Sequence, residues 1–179
     1  MTHRAVLACA VAVVLVAACG GDDGPGKVDL YARSPVPAVP DRTAAIDPAL
    51  TTPGPDGQYW SDLTGRSDGD QRSLIFDLSQ ALFADTCVEE LGADECANDY
   101  GIIADPHKLI DVVISDIRSV TVVSETQQNY AITAAELWNL AGGAPPADAA
   151  PEGYTFVEFP FLLTVQGGKV VEAHQIWVP

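Results

Sequence analysis

Residues 154–178 read YTFVEFPFLLTVQGGKVVEAHQIWV. Two apolar, β-branched runs flank Gln166-Gly167-Gly168. A Gly-Gly pair between such runs signals a hairpin, because glycine enters the positive-φ turn without a Cβ penalty. The expected strands are 154–165 and 169–178. Residues 156–163 are apolar at even and odd positions alike, which places that strand inside a sheet rather than at its edge. Pro160 has no N–H to give a neighbour, so it predicts a bulge or a locally unpaired edge.

Other strand signals lie upstream. Residues 58–63 (QYWSDL) predict a first strand, and 65–71 is turn material containing Asp68-Gly69-Asp70. Leu74, Phe76 and Leu78 alternate along a second strand, 72–78. Ser79 is of the type that caps a helix. Phe83, Ala84, Cys87, Val88 and Leu91 follow at helical spacing, and Gly92 ends the run. A short strand at 100–104 is expected to stop at Asp105-Pro106. Two β-branched strands, 109–114 and 119–123, are separated by Ser115-Asp116. Thr133-Ala134-Ala135-Glu136 is a capping box for a second helix that closes at Gly142-Gly143. The expectation is an α+β domain with a small antiparallel, curved or barrel-like sheet of six to seven strands and two short helices.

The N-terminus carries a different signal. Residues 5–17 are almost wholly Ala, Val and Leu after a head holding only Arg4. The run is too short to span a bilayer, which takes about 20 residues, but it suits a signal peptide. Val16-Ala17-Ala18-Cys19 closes it. These four residues resemble the bacterial lipobox. That resemblance implies cleavage between Ala18 and Cys19 and a thioether-linked lipid on Cys19. Two acyl chains anchor firmly where one anchors only marginally. The implied location is the outer face of the cytoplasmic membrane.

Residues 1–18 are therefore read as a signal peptide, 19–55 as the lipidated Cys and a disordered Pro/Gly-rich linker, and 56–179 as one β-rich domain. Seven of the 13 prolines fall within 19–55, and hydrophobic periodicity is absent there. Cys9 lies in the leader and Cys19 takes lipid, so Cys87 and Cys96 remain as an even pair in an oxidising compartment, read as a disulfide.

The formal net charge is −16, with 25 acidic against 9 basic residues. Such a field repels nucleic acid and anionic lipid surfaces, so no nucleic-acid partner is expected. The expected partners are membrane lipid through Cys19 and cell-wall or envelope components. No Gly-x-Ser-x-Gly elbow, zincin spacing or phosphate loop is present. His107 reads as a turn residue and His174 as an outward strand residue. Glu89, Glu90, Asp94, Glu95 and Asp99 offer calcium-type oxygens without EF-hand spacing and read as a solvated face. No metal or cofactor is expected. Tyr59, Trp60 and Trp177, with Trp138, are candidates for a ligand groove, against the alternative of core or edge aromatics.

Asp56-Gly57-Gln58-Tyr59-Trp60, Ile75-Phe76-Asp77-Leu78 and the segment 98–106 (NDYGIIADP) together resemble a set of small secreted or lipid-anchored bacterial β-rich proteins of unknown function. The likeness spans roughly 56–123. The chain departs from it at Gly101, where a bulkier residue is expected, and in its Cys pair. The resemblance implies an extracytoplasmic β-rich domain and no reaction. The functional expectation is a non-catalytic envelope binding module. The alternatives are an envelope hydrolase using paired carboxylates such as Asp77 and Asp99, or an accessory or inhibitor subunit of an envelope complex.

Overall fold

The computed structural model describes residues 28–49 and 53–178, apart from the side chains of 104–106. Among these residues the strands are β1 (Ala32–Ser34), β2 (Gly57–Ser67), β3 (Ser73–Phe83), β4 (Tyr100–Val113), β5 (Ser119–Val123), β6 (Asn129–Ile132), β7 (Phe161–Gln166) and β8 (Lys169–Gln175). The α-helices are α1 (Ala84–Leu91) and α2 (Ala134–Ala141), and a 3₁₀ turn spans Ile114–Asp116. The strands form one sheet in the order β1-β6-β5-β8-β7-β2-β3-β4.

The α+β class stands, with three corrections to the expected sheet. It has eight strands rather than six or seven. It is mixed, because β5 and β8 run parallel with Val120 opposite Ala173. It is open, with β1 and β4 at its two edges. The extra strands are β1, from the segment read as linker, and β6, whose four residues are too few to show a period.

The 166–169 hairpin forms as expected. Gly167 and Gly168 sit at φ 59° and 75°, the two positive values a tight primed turn needs. β7 lies between β8 and β2, and Phe161, Leu162 and Leu163 are buried on both faces of it. Pro160 limits the strand: residues 154–160 are not paired as a strand, and the Pro160 carbonyl accepts instead from Ile176 N–H at 2.8 Å.

β3 runs past the expected helix start. Ser79 is buried opposite Trp60 in the sheet register, not capping a helix, because pairing with β4 continues to Phe83. α1 begins at Ala84, which turns the chain at φ 48°. Asp105-Pro106 interrupts β4 without ending it. Leu78 pairs with Lys108 while Gln80 pairs with Ile103, so residues 104–107 bulge opposite Ser79 alone. Thr133 caps α2 as expected by accepting from Glu136 N–H at 3.1 Å.

One face of the sheet carries the main core. Leu74, Phe76, Leu78, Phe161, Leu163 and Val122 pack there against Leu137, Trp138 and Leu140 of α2. The opposite face holds a smaller cluster of Trp60, Ala81, Leu162 and Ile176, with Val39, Phe83 and Tyr100 packed on it.

The linker reading is overturned over its described part. Tyr31, Thr43 and Ile46 are buried. Tyr31 N–H donates to Ala131 O at 2.7 Å where β1 joins β6. Residues 41–44 fill a fork where β2 and β3 diverge beyond the Trp60–Ser79 pair. Thr43 N–H donates to Ala81 O, Phe83 N–H to Asp41 O and Ala44 N–H to Gln58 O. The Thr43 hydroxyl accepts from Ala81 N–H at 2.8 Å. This segment is ordered by main-chain pairing and a few buried side chains, so its composition misleads.

Cys87 and Cys96 are bonded, with Cα atoms 5.9 Å apart. Both are buried with Leu82 under α1. The same packing accounts for Gly101: a Cβ there would lie 2.7 Å from Leu91 Cδ1 and 2.8 Å from Cys87 Sγ. Gly101→Ala is expected to destabilise the domain by about 1–3 kcal/mol, the usual cost of overpacking, as measured by the denaturant midpoint.

Candidate binding surfaces

The leader and Ala18-Cys19 lie outside the described residues. The three aromatic candidates do not converge. Tyr59 and Trp60 are consecutive on β2, so they point to opposite faces, and they are 1% and 2% exposed. Tyr59 belongs to the main core and Trp60 to the smaller cluster. Both are structural, which corrects their assignment to a ligand groove. Trp177 stands apart, half-buried beside Val36, Pro37 and Ile176 in a groove of about 160 Å³. Trp138 is buried on α2, stacked 3.7 Å beneath the Arg66 guanidinium, which also donates to the Trp138 carbonyl. That contact locks α2 onto the end of β2.

The carboxylates are also paired differently from expectation. Asp77 sits mid-β3 and Asp99 beyond its far end next to the Phe83–Tyr100 pair. Six residues of strand separate these places, about 20 Å, too far for an acid–base pair. Asp77 instead lies directly opposite Asp62 on β2. Burial, and then the neighbouring Asp77 charge, raise the Asp62 pKa, with His107 opposing. His107 Nδ1 is 3.4 Å from Asp77 Oδ2, while Asp77 Oδ1 is buried without a partner. Leu109, 66% exposed, flanks the pair on β4. Like charges directly across a sheet are unfavourable, so this pairing costs stability when both are ionised.

His174 is tied into the sheet. Its Nδ1 is 2.9 Å from Thr121 Oγ1, and burial lowers its pKa against the opposing pull of Glu172. In the acidic stretch Glu90 pairs with Arg42. Among the described residues no three His, Cys, Asp or Glu side chains converge as metal ligands.

One concave site has no counterpart among the sequence candidates. Three of the chain's five tyrosines, Tyr31, Tyr130 and Tyr154, gather from three separate segments. Tyr130 and Tyr154 meet at 80° with centroids 5.9 Å apart, and Tyr31 packs 5.2 Å from Tyr154. Behind them the buried Glu136 accepts from Tyr31 O–H and Ala147 N–H, each at 2.8 Å. A cavity of about 150 Å³ opens in front of Tyr130 and Tyr154. No local motif announces it, because its two walls, residues 124–130 and 151–155, are separated in sequence, and the ring that backs them, Tyr31, comes from the segment read as linker.

Burial, the hydrogen bond to Glu136 and that residue's charge hold the Tyr31 phenol far above its ordinary pKa. Burial and Glu136 do the same for Tyr154. Both remain protonated in the folded chain while the unfolded chain ionises near pH 10. Above that pH the unfolded state binds fewer protons, so stability falls as pH rises. Thermal melts should show no pH dependence from these groups below about pH 9 and a decline above pH 10, at most about 1.4 kcal/mol per pH unit for each phenol. Tyr31→Phe should flatten the decline.

The chain matches no known protein family, no curated protein and no solved structure.

Proposed function

We propose that this chain is an extracytoplasmic lipoprotein, anchored through Cys19 to the outer face of a bacterial cytoplasmic membrane, whose folded domain is a non-catalytic binding module for an envelope component. The observation that carries this reading is the Cys87–Cys96 disulfide, buried in the domain downstream of Val16-Ala17-Ala18-Cys19. Structural disulfides persist in oxidising compartments, and the lipobox-like sequence supplies the route there. The tyrosine-walled cavity supports the binding half of the reading.

The anchored geometry is short. Tyr31 is buried and joins β6, so eleven residues separate it from Cys19. Fully extended, a stretch of that length reaches at most about 40 Å. The domain therefore works close to the bilayer, not at the end of a long leash. A hydrolase reading rests on Asp62, Asp77 and His107, where, among the described residues, two carboxylates and an imidazole lie together.

Cys19→Ser tests the anchor. The wild-type protein is expected in the membrane fraction and the variant in the soluble exported fraction. Unchanged membrane association of the variant would refute lipid attachment at Cys19.

A further inference from the structure

The tyrosine-walled cavity has the chemistry of a cation site. Tyr130 and Tyr154 meet edge-to-face rather than stacked, and both line the space. Glu125 and Glu152 stand exposed on its rim, and its described lining includes no Lys or Arg. Glu136 adds negative charge behind the rings. The net charge of −16 raises the local concentration of any small cation.

Both rims are preformed. On one side Gln127 N–H donates to Ser124 O at 2.8 Å and Ser124 N–H to Gln128 O at 3.0 Å. On the other, Tyr154 N–H donates to Pro151 O at 3.0 Å across a turn with Gly153 at φ 76°. The Tyr31–Glu136 bond fixes the third ring behind them. Little ordering therefore opposes binding.

We propose that this cavity binds a small organic cation, an alkylammonium group. Its volume of about 150 Å³ suits about six or seven heavy atoms. The ammonium would lie against the two rings and beneath the rim carboxylates, since a cation over an aromatic face is attracted to its quadrupole. The proposal rests on reading the folded domain as a binding module. It is independent of the anchor, so the Cys19→Ser experiment and the one below can fail separately.

The test is an NMR titration of the purified protein with choline and with 3,3-dimethylbutan-1-ol, its uncharged carbon isostere. Choline should give saturable shifts confined to residues 124–130 and 152–155, with a Kd on the order of 1–10 mM. The neutral isostere should bind at least about tenfold more weakly. The exposed double variant Glu125→Gln/Glu152→Gln should melt like wild type and weaken choline binding about three- to tenfold. Phosphatidylcholine vesicles distinguish a free cation from a lipid headgroup: shifts with vesicles as well as choline assign the headgroup, and shifts with choline alone assign a free ligand. Equal binding of choline and its neutral isostere, an unaltered Kd in the double variant, or no saturable shift at these residues would overturn the proposal.

Discussion

Trp60→Ala is expected to destabilise the protein by about 3–5 kcal/mol, the cost of emptying a large aromatic site in a core. In a domain of this size that lowers the melting midpoint by roughly 10–20 °C. Trp60 is 2% exposed, packed edge-on to Phe83 with ring centroids 5.3 Å apart and tilted against Tyr100. Its removal would open a space between the sheet and residues 36–46 that the Pro-rich strap has little means to fill. Trp177→Ala, on a half-buried groove residue, should cost roughly 1 kcal/mol or less. Thermal or urea unfolding of the two variants side by side decides between a core and a surface role for Trp60. A Trp60→Ala protein with an unchanged midpoint would restore it to the ligand-facing surface.

Removing everything before residue 47 should abolish cooperative folding. The deletion exposes what Tyr31 and Ile46 cover, each worth about 1.5–3 kcal/mol of burial. It also strips partners from the Ala81 and Gln58 carbonyls and the Phe83 N–H at the fork between β2 and β3. Together these exceed about 5 kcal/mol, comparable to the whole stability of many domains. Thr43→Val is the milder form of the experiment. It deletes one hydroxyl that accepts from Ala81 N–H and donates to Ala81 O, at an expected cost of about 1–3 kcal/mol. A chain lacking residues 1–46 that melted like the full one would show the strap to be dispensable.

The parts of this fold legible in the sequence are those with a local cause. Gly167-Gly168 forms its turn because two positive φ values need two glycines. Thr133 caps α2, and Gly92 and Gly142 follow the last residues of the two helices. The disulfide followed from elimination among four cysteines. What stayed hidden depended on distant partners. The face of β2 that carries Trp60 reads as exposed until something covers it, and the cover is a segment with no hydrophobic period. Ser79 has the chemistry of a helix cap, yet it suits equally a strand position facing a tryptophan.

Gly101 and the Cys pair looked like two departures from one resemblance. They are one packing solution, in which the sulfur and Leu91 occupy the place of a side chain. The candidate site was least legible of all. Asp77 was singled out with the wrong partner, since strand register rather than spacing decides which carboxylates meet. Tyr31, Tyr130 and Tyr154 converge only once the strap has joined β6.

The intact mass of the native protein extracted from bacterial membranes tests the central claim most directly. The account predicts a chain beginning at Cys19, heavier than its sequence by covalently attached lipid. A soluble chain that retains Met1 and carries no lipid would contradict it.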